Sequence, residues 1–104
     1  MFVFLSHLVV PEADHVRLER HFHQRSGLVD DFPGFLYLQL LKPQAGTATH
    51  TFLTSWTDAE AFRRYMGSQE RAAAHAREPA DIMARTTVRH EAYEVLLDSR
   101  DANA

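Results

Sequence analysis

Residues 2–10, FVFLSHLVV, are apolar on both alternating faces, and few folds accommodate such a strand. Phe2, Phe4, Leu8 and Val10 occupy one side, and Val3, Leu5 and Val9 the other. A strand of this kind is covered on both sides. Helices of the same chain can cover one side, and a second subunit can cover the other. Ser6 and His7 interrupt the two faces, and Pro11 bounds the run. A polar side chain in so apolar a run needs a partner or water, which favours a pocket position for His7.

The elements that follow are punctuated by turn residues. Pro11 to about Arg25 reads as a helix, with Pro11, Glu12 and Asp14 suited to its first turn and Gly27 to its stop. Leu18 and Phe22 share a side of it with His15, His21 and Arg25. Pro33-Gly34 marks a turn before a second strand, 35–41, and a hairpin through Gly46 leads to a third, 49–56. Thr57 and Glu60 have the spacing of a capping box for the next helix, along which Phe62 and Met66 form a stripe beside Tyr65. Gly67 breaks that helix, and Ser68 can cap a second piece, 69–77, with Ala72, His75 and Ala76 on one face. Pro79 ends it, an irregular stretch follows, and 86–97 reads as a last long strand.

The order β-α-β-β-α-β predicts an α+β, ferredoxin-like fold, an antiparallel sheet with helices on one face. The uncovered apolar face predicts a homodimer. Residues 1–98 read as one domain, and 99–104 as a frayed polar tail.

Composition excludes some chemistry. The 104 residues contain no cysteine, so there is no disulfide, thiolate site or cysteine nucleophile. With a net charge of −3 and scattered basic residues, nucleic acid is disfavoured as a partner. No apolar run is long enough for a membrane span, and the N-terminus reads as a strand rather than a signal peptide. A cytoplasmic protein is the expectation. Seven histidines are an excess, but the cluster at 15, 21 and 23 lacks the helical spacing of a zinc pair.

The remaining candidates each have two readings. His75 is an iron ligand through neutral imidazole, or a histidine that caps a short helix. His7 is a pocket hydrogen-bonding group or base, a second axial ligand, or a strand histidine paired across the sheet. Tyr65 and Phe22 are pocket walls or plain core. Arg25, His21 and His23 meet anionic groups or form a solvated face.

PGF at 33–35, TSWTDAEAF at 54–62 and YMGSQERAAAH at 65–75 together resemble the antibiotic-biosynthesis monooxygenase family of dimeric α+β barrels. Within it, the chain is similar to the haem-degrading, IsdG-like branch. That resemblance implies His75 as the proximal iron ligand and Tyr65 where the branch has a tryptophan packed on the macrocycle. It implies His7 where the branch has an asparagine over the iron's open side, with Ser6 as the alternative if the register slips. Phe22, Arg25 and Phe62 are expected around the bound haem. Dioxygen and an external electron donor complete the expected partners. Two other functions suit the same fold: a cofactor-independent monooxygenase of quinol or phenolic substrates, in which His7, His75 and Tyr65 handle the phenol's proton, and a non-catalytic dimeric binding module.

Overall fold

In the computed structural model, residues 1–24, 27, 29–44 and 49–100 are described. Strand β1, Phe2–Val9, lies between β3, Thr49–Trp56, and β4, Thr87–Glu94; β2, Phe35–Leu41, pairs with the outer side of β3. All three pairings are antiparallel, in the order β2-β3-β1-β4. Helix α1, His15–His23, follows β1 after a 3-10 turn at Glu12–Asp14. Helices α2, Ala59–Met66, α3, Gln69–Ala76, and α4, Ala80–Ala84, connect β3 to β4. The architecture is the expected ferredoxin-like arrangement, with the second helical layer broken at Gly67-Ser68.

Local chemistry explains the boundaries and corrects three of them. The cap of α2 is Asp58, not Thr57: Asp58 is extended, and its Oδ1 accepts from the Ala61 amide at 2.8 Å. Thr57 instead donates its amide to Gly34 O at 2.8 Å, and Glu60 pairs along the helix with Arg64. Ser68 caps α3 as expected, its Oγ accepting from the Arg71 amide. The stretch after Pro79 is helical, because Ile82 is fully buried and one turn is enough to bury it. The last strand is shorter than its apolar pattern suggested. Its ladder ends at Glu94, and Leu96 and Leu97 are exposed.

The helices cover the even-numbered face of β1, and they do so at its two ends. At one end Leu8 and Val10 pack with Leu18 of α1 and Ile82 of α4, with Phe22 alongside. At the other, Trp56, Val29 and Ala61 form a second core with Phe2, Phe35, Phe62 and Tyr65. The middle of β1 lies between these two clusters.

Polar side chains bind the helices down where apolar area is short. His50 is fully buried on β3, with Nε2 2.9 Å from Glu19 Oε2 of α1, and Lys42 lies 3.7 Å from the same carboxylate. Arg85 forks onto the buried Asp14 through two bonds of 2.9 Å. That guanidinium holds the Asp14 carboxyl below its ordinary value, and the His50 bond does the same for Glu19. A carboxylate whose folded pKa is depressed stabilises the fold fully above its unfolded pKa, about 4, and loses that contribution as pH falls through the folded value. We expect the urea midpoint to fall steadily below about pH 4. In Arg85→Met, stability at neutral pH should drop and the acid limb should flatten. An unchanged acid slope in that variant would mean that the pair contributes nothing.

Candidate functional site

Because the two cores sit at the sheet's ends, a cleft of about 470 Å³ opens over its middle. That size lies within the range of small-molecule sites, about 300–1,000 Å³. The sheet supplies one wall through Phe4, Ser6 and Leu8 of β1, Phe52 and Thr54 of β3, and Val88 and His90 of β4. The helices supply the other through Phe22, Phe62, Tyr65, Met66, Ala74 and His75.

Aromatic rings set the shape. Phe22 stacks on Phe52 at 4.8 Å, and Phe62 stacks on Phe4 at 4.4 Å. Tyr65 packs against Trp56 at 5.2 Å and edge-on to Phe32. Trp56 reaches the cleft, but its indole N–H donates to Thr54 Oγ1 at 2.9 Å, so it is a structural ring that happens to form a wall. Flat apolar surfaces with few polar atoms suit a flat, largely apolar ligand.

His75 stands at the end of α3 on the cleft wall, with a side chain that is 59% exposed. Its Nδ1 lies 3.4 Å from Glu78 Oε2. A carboxylate near one ring nitrogen is an arrangement also found behind metal-ligating histidines. The inward face of this segment is Arg71, Ala74, His75 and Glu78, rather than the Ala72, His75 and Ala76 stripe expected from spacing. Arg71, Arg77 and His21 make the rim basic, opposed by Glu78.

Three expected wall residues besides His75 are in place: Phe22, Phe62 and Tyr65 all line the cleft. Arg25 lies outside the described residues. His23 is exposed and outside the cleft wall. The expectation for His7 is corrected. Ser6 shares its strand parity with Phe4 and Leu8, so Ser6 faces the cleft and His7 faces away. Both His7 nitrogens are engaged on that far side: Nδ1 is 3.0 Å from Thr51 Oγ1, and Nε2 is 2.5 Å from Glu91 Oε1. Tyr93 donates to the other Glu91 oxygen at 2.6 Å, which with the His7 bond holds that carboxyl below the usual range.

Sequence reasoning missed Arg71, Arg77, Glu78 and His90. Arg71 was recoverable, since it lies four before His75 on one stripe of α3, and Glu78 follows His75 by three residues just past the helix end. His90 was not, because its wall position depends on the pairing of β4 with β1.

The family described as antibiotic biosynthesis monooxygenase matches residues 1–77. A mycobilin-producing haem oxygenase of Mycobacterium tuberculosis is 34% identical over 96 residues, covering 92% of this chain and 90% of that protein. The crystal structure of the haem degrader MhuD from the same organism, with two haems in its active site, superposes with a TM-score of 0.80 at 32% identity. It covers 94% of this chain and 98% of that one. A mutant of SnoaB of Streptomyces nogalater, a cofactor-independent oxygenase, superposes with a TM-score of 0.74 over 96% of this chain and 97% of its own, with 20% identity, and so shares the fold alone.

Proposed function

The chain belongs to the antibiotic biosynthesis monooxygenase family, and from that premise we propose that it binds haem in the cleft through His75 and degrades it oxidatively. The observation that carries this reading is His75 with Glu78 behind it, on the wall of an aromatic-lined cleft. An imidazole on the cleft wall with a carboxylate near one of its nitrogens fits an iron ligand. The flat walls built by Phe22, Phe62 and Tyr65 fit a macrocycle, and the basic rim of Arg71, Arg77 and His21 fits its propionates.

Haem is the substrate here, and its iron also supplies the means of activating dioxygen. The protein's part is binding and exclusion. His75 would hold the iron on the helical wall, Tyr65 and Phe62 would contact the ring, and the aromatic lining would help to exclude bulk water. Electrons come from an external donor. The cytoplasm, where reductants are abundant, is the compartment this reading requires. No described helix is long and apolar enough to cross a membrane.

The far face of the sheet supports a homodimer as part of the same proposal. Val9 is 50% exposed, Tyr93 49% and Leu41 44%, on a face that also carries Val3 and Leu5. An apolar area of this kind is normally buried against a partner. A second copy, its sheet against this one, would also enclose the His7–Glu91 pair.

The deciding experiment is a hemin titration of the purified protein, followed by ascorbate in air, with His75→Ala in parallel. We expect saturable binding with a Soret band, at least about tenfold weaker binding in the variant, and bleaching of the band in the wild type. Wild-type protein with no saturable binding would overturn the haem reading. Oxygen uptake with quinols by the same metal-free protein would then favour a cofactor-independent oxygenase.

A further inference from the structure

We propose that Ser6 and His90 together form the hydrogen-bonding group of the cleft's sheet wall, and that His90, its tautomer set by Ser6, donates to an oxygen atom or small anion held between that wall and His75. The inference rests on the haem reading above and assigns the side of the cleft which that reading leaves open.

Ser6 and His90 are direct partners in the β1–β4 ladder, and both side chains point into the cleft. Ser6 Oγ lies 3.3 Å from His90 Nδ1. The imidazole rests on Phe4 with centroids 5.1 Å apart and planes 28° apart, and Phe4 is itself stacked on Phe62. One ring face and one nitrogen are therefore held. Among the described residues, Nε2 has no partner and is available to a ligand. With the serine hydroxyl donating to Nδ1, the neutral ring carries its proton on Nε2 and becomes a donor.

The surrounding wall makes that donor count. Phe4, Leu8, Phe52 and Val88 are apolar, and the Thr54 hydroxyl already accepts from Trp56. Besides the Thr54 hydroxyl proton, the polar atoms this wall offers a ligand belong to Ser6 and His90. A hydrogen bond to a charged acceptor is stronger than one to a neutral acceptor, and a bound ligand that shut water out would strengthen it further. His75 is on α3 and the pair is on the sheet, so a flat ligand fixed by His75 would present its other side to Ser6 and His90. His7, the residue that strand position alone suggests for this task, faces away.

The test uses the full chain loaded with ferric haem and titrated with azide, read from the Soret shift. His90→Leu should weaken azide binding by about tenfold or more, the loss expected for one hydrogen bond to an anion. Ser6→Ala should weaken it by about threefold, because the ring keeps its place on Phe4 but loses its tautomer partner. His90→Gln, which keeps a donor, should recover most of the affinity. His7→Gln should leave it unchanged. All four should still bind hemin saturably, with the spin state of the wild type.

Equal azide affinity in wild type and His90→Leu, with hemin still bound, would overturn this inference and leave the haem reading standing. A low-spin wild type that turns high-spin in His90→Leu would also overturn it, since His90 would then be an iron ligand. Absence of saturable hemin binding in the wild type would overturn both.

Discussion

Gly34→Ala is expected to destabilise the protein by about 2–5 kcal/mol, a large part of the total stability of a domain this size. Gly34 has φ +89, where an L side chain is strained, at roughly 1–2 kcal/mol. A Cβ there would also lie far inside contact distance of the Ala61 methyl, and 3.0 Å from Thr57 Oγ1. Neither neighbour can retreat. Ala61 is fully buried in the first turn of α2, which Asp58 caps, and the Thr57 amide is bonded to Gly34 O. Overpacking of this kind adds about 1–3 kcal/mol. The consequence reaches the cleft, because α2 carries Phe62 and Tyr65. Urea unfolding followed by circular dichroism measures the change, and a shift in midpoint of more than about 1 M is expected. A midpoint equal to that of the wild type would show that the turn relaxes freely, contrary to this packing.

Trp56→Ala should cost about 3–5 kcal/mol. The indole has no exposed surface and touches Phe35, Phe62 and Tyr65 with centroids between 5.2 and 5.7 Å. Its removal would leave a void where the second core meets the cleft, and would strip the Thr54 hydroxyl of its donor. Trp56→Phe fills part of the void and should cost less, about 1–3 kcal/mol. Circular dichroism is the suitable probe for both, since Trp56 is the sole tryptophan and its fluorescence vanishes with it. In the wild type that fluorescence reports on the cleft, and hemin entering the site should quench it. A near-neutral Trp56→Ala would mean that this core repacks around the loss, and the view of Trp56 as a structural wall would have to be abandoned.

The haem degrader MhuD and the cofactor-independent SnoaB share this sheet and helix order, so the fold cannot choose between their chemistries. The choice rests on side chains around one cleft. In the proposed reading, His75 beside Glu78 would hold the iron, and Ser6 with His90 would face what is held opposite.

Much of this was legible in one dimension. Strand β1 announced its two apolar faces, one of which the helices cover, and the turn at Pro33-Gly34, the break at Gly67-Ser68 and the Ser68 cap all stand where local backbone chemistry requires them. Tyr65, Phe62 and Phe22 lie on the cleft wall on the stripes that helical period suggested, whereas His75 lies there with Arg71 and Ala74 rather than with Ala72 and Ala76. What could not be read were quantities that depend on a second element. A strand's alternation tells which residues share a side but not which side the helices take, so Ser6 and His7 were interchangeable until Leu8 and Val10 met Leu18 and Ile82. His90 joined Ser6 only through the register of β4 on β1, a contact between residues 84 apart in the chain. Local period and turn chemistry are properties of neighbouring residues, and the sequence by itself determined them. The facing of a strand and the company of a histidine depend on long-range pairing and burial, and only the tertiary structure decided those.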